Sequence, residues 1–243
     1  MLVLIDPLSN RTIDPNSKRF SLLQKRASTG PVDPYYTYVT ALLHFDGTNG
    51  STSTPTNAPA GSATWSPSIG TITTAQSVFG GASMNLTAGN AYVTASTNAP
   101  LTLGSGDWTV EGWWQFSTTA GDQVLTEQSS GGPTFEFYKS SAGALRIVQN
   151  ATDVSLGTWT GVTTGVWYHV AVVRFGSTVY GYINGTQTGS TAAQTIADGG
   201  GSTKVGGHAG AYFSGYVDEY RVTKGIARYT SNFTVPGSPF PNR

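Results

Sequence analysis

The sequence predicts an all-β domain, a two-sheet antiparallel sandwich of jelly-roll type, preceded by an extended N-terminal arm. Three observations carry that prediction. Charged residues make up 11% of the chain, against roughly 25% in an average domain, while glycine reaches 31 residues among many Ser and Thr. Aromatic residues supply 12%, enough for a large core. From residue 39 onward, short alternating runs broken by Gly, Asn and Ser recur, and amphipathic helices are absent. A length of 243 residues suits one such domain.

Residues 1–38 differ from the rest and are read as an arm. They hold Arg11, Lys18, Arg19, Lys25 and Arg26, five of the thirteen basic residues, and four prolines. The stretch NSKRFSLLQKRAS fits one short amphipathic helix capped by Asn16 or Ser17. Phe20, Leu22 and Leu23 are apolar with little nearby in sequence to pack on. Together with Arg11, Lys18 and Arg19 they are the candidate docking residues, and a loose tail is the alternative reading.

The strands of the 39–243 domain follow in order. YVTALLHFDG opens the series, and GNAYVTAS is a short strand. In DWTVEGWWQF, Trp108, Val110, Gly112 and Trp114 alternate with Thr109, Glu111, Trp113 and Gln115. GPTFEFYKS and GALRIVQN read as neighbours joined by a turn near Ser140–Gly143. In VWYHVAVVRFGSTVYGYINGTQTGS, Gly176–Ser177 and Asn184–Gly185 mark two hairpin turns. Asn-Gly is the stronger signal, because both central residues of a type I′ turn need positive φ. GYVDEYRV closes the series of twelve or so strands, and the chain lacks an exact repeat.

Composition also removes several function classes. A formal net charge of zero argues against a nucleic-acid partner. Without cysteine there is no disulfide, zinc-thiolate site or thiol nucleophile. Only four apolar residues, Leu2 to Ile5, separate Met1 from Asp6, too few for a signal-peptide core, and no stretch is long enough to span a membrane. The expectation is a chain made in the cytoplasm of its host cell.

Six stretches now carry a resemblance: ALLHFDGTNGS, SVFGGASMNL, AYVTAS, GDWTVEGWWQF, VWYHVAVVRFGSTVYGYINGTQTGS and GYVDEYRVTKGIARYTSNFTVPGSPFP. In this order they resemble the laminin-G-like, concanavalin A-like jelly-roll domains, particularly those of bacteriophage structural proteins. The resemblance implies that the last strand pairs near the first. It also implies a virion-surface protein, most simply a capsid decoration protein. Its arm would dock on a major capsid or tail protein, and the chain would form a homo-oligomer following the symmetry of the particle. The alternative is a tail- or fibre-associated adhesin for host-surface glycan.

Glycan hydrolysis needs two carboxylates at a defined separation. Glu111 has no acidic residue two or four positions away, Glu136 stands alone, and Asp218 and Glu219, being adjacent, should point to opposite faces of a strand. The expectation is a protein that is not an enzyme. His44, His169 and His208 form no recognisable catalytic order, and His169 is read as a buried, hydrogen-bonded strand residue. The resemblance implies a possible Ca²⁺ between Asp46 and Asp218; otherwise Asp46 organises a turn with Gly47 and Asp218 is a solvated or hydrogen-bonded strand residue. Trp113, expected to face outward from its strand, and Trp65, Trp159 and Tyr212, expected with Tyr92 in or near loops, are the candidate glycan-stacking residues. Their alternative is burial in a core or beneath neighbouring chains.

Overall fold

The computed structural model describes residues 31–243 apart from 55–57, 60–61, 96–98, 130–131, 198–200 and 209, with only the backbone of His208. Arg11, Lys18, Arg19, Phe20, Leu22 and Leu23 lie outside the described residues. A 3-10 turn at Tyr36–Tyr38 leads into β1 (Val39–Leu43). Short strands follow as β2 (Trp65–Ser68), β3 (Thr71–Thr73), β4 (Ser83–Asn85) and β5 (Tyr92–Ala95). The middle of the chain forms β6 (Trp108–Phe116), β7 (Gln123–Ser129), β8 (Pro133–Lys139), β9 (Ala144–Gln149) and β10 (Thr152–Thr158). Then come β11 (Trp167–Phe175), β12 (Thr178–Ile183), β13 (Thr186–Ala192) and β14 (Ser202–Val205). A small hairpin, β15 (Gly207–His208) and β16 (Ala211–Tyr212), precedes β17 (Gly215–Lys224).

Among the described residues these strands build two large antiparallel sheets. The first runs β13-β12-β11-β6-β17-β4-β3, with β1 also paired to β17. The second runs β10-β9-β8-β7-β14-β5-β2. The first and last strands of the domain are therefore neighbours, with Leu43 opposite Tyr220, as the resemblance implied. Alternation on β6 sends Trp108, Val110, Trp114 and Phe116 into the space between the sheets. There Trp108 meets Phe135 edge-on at 5.3 Å and Trp114 meets Phe137 at 5.8 Å. Such edge-to-face pairs fill the core and add about 0.5–1.5 kcal/mol each beyond buried area.

The predicted turns form where the residue types demand them. Ser140–Gly143 joins β8 to β9, and Gly176–Ser177 joins β11 to β12. Asn184 and Gly185 both take positive φ, 48° and 77°, between β12 and β13. Gly185 has a second constraint: a Cβ there would lie 2.0 Å from the Phe233 carbonyl oxygen. Phe233 belongs to a strap, residues 225–243, that crosses the outer face of the first sheet. Its Tyr229 and Phe233 rings pack on Ala171, Val173 and Tyr182, so this face is covered by the chain itself.

One expectation from strand alternation fails. Asp218 and Glu219 do not point to opposite faces. A bulge between Asp218 and Arg221, with Glu219 at φ 52°, inserts an extra residue. Val217, Tyr220 and Val222 then face the core, and both carboxylates turn away from it.

Candidate functional site

The outer face of the second sheet carries a row of polar residues set by register. Glu127 on β7 lies directly opposite Glu136 on β8. Lys204 on β14 stands opposite Glu127, and Thr94 on β5 stands opposite Lys204. On the other side Glu136 faces Val148 of β9, which faces Asp153 of β10. Glu127 and Glu136 are only 2% and 5% exposed, although they point away from the core. Among the described residues, Oε2 of each lacks a hydrogen-bond partner.

The charges on this face are largely engaged. Lys204 Nζ lies 3.5 Å from Glu127 Oε2 and 5.4 Å from the Tyr92 ring centroid. Arg146 Nε donates to Asp153 Oδ1 at 3.0 Å and to the Tyr138 hydroxyl at 3.1 Å. Tyr138 donates to Asp153 Oδ2 at 2.8 Å; burial first, then Asp153, pushes its hydroxyl up to about 12. Glu136 is pushed up to about 7, chiefly by burial and then by the charges of Glu127, Asp153 and Asp122. Two carboxylates this close, with little water to screen them, resist ionising together.

Beside the pair stands an aromatic platform. Tyr92 and Tyr212 stack with centroids 6.3 Å apart and planes 21° from parallel. Both rings are half-buried. The β15–β16 hairpin makes this possible by folding over the sheet, with Ala211 on the Val124, Tyr138 and Val148 cluster. Gly207 leaves room for the Tyr212 ring, since a Cβ there would sit 2.3 Å from Tyr212 Cδ1. The next residue, Phe213, points the other way into the core.

The other candidate aromatics are placed differently. Trp65 and Trp159 are each 4% exposed and belong to the core, against Tyr220 and Phe116 respectively. Neither offers a face to a sugar, because the loops expected around them are a strand end and a turn packed inward. Trp113 does point outward from β6, yet Phe79 and His169 meet it edge-on and leave it 9% exposed. Tyr92 and Tyr212 lie on short strands rather than in loops.

Asp46 and Asp218 do approach one another. Asp218 Oδ2 accepts from the Val78 and Phe79 amides at 2.8 and 3.1 Å, while its buried Oδ1 lacks a partner among the described residues. Burial, with smaller effects from Glu219 and Asp46, pushes Asp218 up to about 7. Burial also raises Asp46, and Glu219 adds to that. This donor set fits a hard cation, which takes carboxylate and carbonyl oxygens. No group of three or more His, Cys, Asp or Glu suited to a metal occurs among the described residues. Backbone oxygens would have to complete such a site.

Glu111 belongs to a buried cluster that ties β6 to β11, β17 and the strap. It accepts from Arg221 Nη2 at 2.7 Å and from the Tyr229 hydroxyl at 2.8 Å, with His169 Nε2 at 3.2 Å. His169 is thus buried and hydrogen-bonded, as expected. Arg228 Nη2 donates to Asp33 Oδ2 at 2.6 Å, and Arg221 Nη1 reaches the same oxygen at 3.3 Å. Asp33, where the arm meets the domain, is therefore held on the outer face of the first sheet.

The architecture and the polar sheet face define a lectin-like β-sandwich. Residues 87–226, more than half of the chain, match the concanavalin A-like lectin/glucanases superfamily, and the chain belongs to that family. No curated protein matches the sequence. Among solved structures, domain 4 of AbnA is similar at TM-score 0.61 and 17% identity, covering 78% of this chain and 93% of that one. AbnA is a GH43 extracellular arabinanase from Geobacillus stearothermophilus, and that structure is a complex with arabinotriose. A botulinum neurotoxin type C structure is similar at TM-score 0.56 and 10% identity, covering 86% of this chain and 50% of that one. The Trypanosoma rangeli sialidase, with the inhibitor DANA, is similar at TM-score 0.54 and 10% identity, covering 90% and 33%. At these identities the likeness is one of fold.

Proposed function

We propose that this chain is a non-catalytic carbohydrate-binding domain displayed from its N-terminal arm, with its glycan site on the outer face of the second sheet. The observation that carries the reading is the half-buried Tyr92–Tyr212 stack beside the opposed Glu127–Glu136 pair. Rings offer an apolar face to sugar C–H groups. A binding role is favoured over hydrolysis because Glu127 and Glu136, at 2% and 5% exposure, have little surface with which to flank a scissile bond. The arabinotriose complex of the arabinanase domain adds support by analogy of fold.

Display on a virion, the setting the motif resemblance implies, is part of the same proposal, as is a symmetric oligomer on the particle. Its support is geometric. Asp33, just ahead of β1, is held on the first sheet's outer face, the side away from the proposed glycan face. A Ca²⁺ held by Asp46 and Asp218 would lie at β17, an interior strand of the first sheet, and serve stability rather than sugar contact.

The test is a glycan array followed by calorimetry with the full chain and with Tyr212→Ala. Binding of at least one saccharide, lost in Tyr212→Ala while thermal stability is kept, supports the reading. An array without a binder removes it, and a Tyr212→Ala protein that binds unchanged moves the site elsewhere.

A further inference from the structure

We propose that Ile69 is a specificity-determining contact beside the Tyr92–Tyr212 platform, favouring deoxyhexoses that present a methyl group over their hydroxymethyl counterparts. The inference rests on the glycan-binding reading and names its ligand class.

Ile69 lies in the turn between β2 and β3, with φ 66°. Among the described residues it is the one β-branched side chain in the left-handed region, where branching at Cβ makes the conformation costly. Core packing does not offset that cost, because Ile69 is 63% exposed. Its neighbour Gly70 is the residue pressed inward: a Cβ there would lie 2.8 Å from Leu86 Cδ2. The corner is thus seated on the core at Gly70 and holds Ile69 in solvent. Backbone strain kept at an exposed aliphatic side chain marks a role at the surface.

The platform adjoins this corner. Ile69 forms a backbone bridge with Tyr92, and Ser68 is the cross-strand partner of Tyr92. Val93 packs in the core, so Tyr92 faces outward, where it stacks with Tyr212. The two rings offer a face to sugar C–H groups. Ile69 extends that surface on the β2 side and brings neither donor nor acceptor in its side chain. A methyl group set against it leaves water without losing a hydrogen bond. A hydroxymethyl group in the same place loses hydration that Ile69 cannot replace. Discrimination therefore falls on apolar surface that solvent, and so a ligand, can reach.

The experiment compares matched sugars by calorimetry on the full chain. The probes are L-fucose against L-galactose and L-rhamnose against L-mannose, with any binder from the array paired to its methyl or hydroxymethyl counterpart. The expected result is that the methyl-bearing member of a binding pair binds about fourfold more tightly, the worth of roughly one buried methyl group. Ile69→Asn and Ile69→Gly both suit a left-handed backbone. Each should erase that preference while the melting temperature holds or rises. A preference that survives in both variants would overturn this inference and leave the glycan-binding reading standing. Equal binding of both members by the unaltered protein would overturn it as well. A lower melting temperature in both variants would make Ile69 a packing residue and count equally against it. Absence of any saccharide binding removes both readings.

Discussion

Glu111 ties β6 to Arg221 on β17, His169 on β11 and Tyr229 in the strap. Burial alone would raise its pKa, but Arg221, His169 and Arg228 hold its carboxyl far below the usual carboxylate range. A depressed carboxylate contributes stability above its unfolded pKa and loses it as pH falls below about 4.5. Glu111→Gln leaves Arg221 buried with a weaker partner and should cost about 3–5 kcal/mol. Urea unfolding at neutral pH measures this, and a loss under about 1 kcal/mol would show the cluster to be nearly neutral. Asp218 and Glu136 act in the opposite sense. Both are pushed up to about 7, so the folded state keeps protons that the unfolded chain releases from about pH 4. Their contribution is fully present below that pH and lost as pH rises towards 7. The melting temperature should therefore be higher at pH 5 than at pH 8, and Asp218→Asn should shrink the difference. Millimolar Ca²⁺ at pH 8 should recover it in the unaltered protein but not in Asp218→Asn. A melting temperature indifferent to Ca²⁺ and to chelator would mean that Asp46 and Asp218 hold no cation.

At the scale of elements, the strap over the first sheet and the β12–β13 hairpin depend on one another. Gly185 has φ 77° and lies against the Phe233 carbonyl, and the Phe233 amide donates to the Gly185 oxygen at 2.9 Å. Gly185→Ala should cost about 1–3 kcal/mol through the left-handed backbone alone. It should also lift the strap, which a faster tryptic cut at Arg228 would report; an unchanged cut rate would mean that the strap is held elsewhere. The hairpin itself is legible in the sequence, since Asn184–Gly185 sits between two β-rich runs. The pairing of Glu127 with Glu136 is not. A register shift between Gln128 and Ser129 means that counting outward from Ser129 and Pro133 pairs Glu127 with Phe135 instead. The bulge that turns Asp218 and Glu219 to one side is hidden in the same way, because alternation assumes unbroken register. The β15–β16 hairpin escapes notice because GGHAGAYFSG has no alternating run, though it places Tyr212. Trp65 and Trp159 were readable as aromatic but not as buried, because burial depends on which sheet lies behind them.

At the scale of the molecule, the two faces of the sandwich have separate employments. The first sheet's outer face is closed by residues 225–243 and receives the arm at Asp33. The second sheet's outer face keeps the half-buried tyrosines and the opposed glutamates. Asp33 lies within the arm read from the sequence, residues 1–38, so a truncation at that boundary removes more than an anchor. A chain starting at Tyr38 loses Asp33 and leaves Arg228 only the more distant Glu111 at 3.8 Å, so a stability loss would be mistaken for a lost anchor. A chain starting at Pro31 keeps Asp33 and tests the arm alone. Because the sequence has no cysteine, a single thiol can fix the molecule to a surface from either side. Leu2→Cys attaches it through the arm, and Ser66→Cys attaches it through the exposed end of the Lys204–Glu127 row. With a saccharide that binds in solution, capture through Leu2→Cys should retain binding, whereas capture through Ser66→Cys should reduce it at least tenfold. Equal binding from both orientations would place the sugar away from the second sheet and break the link between display and the opposed faces.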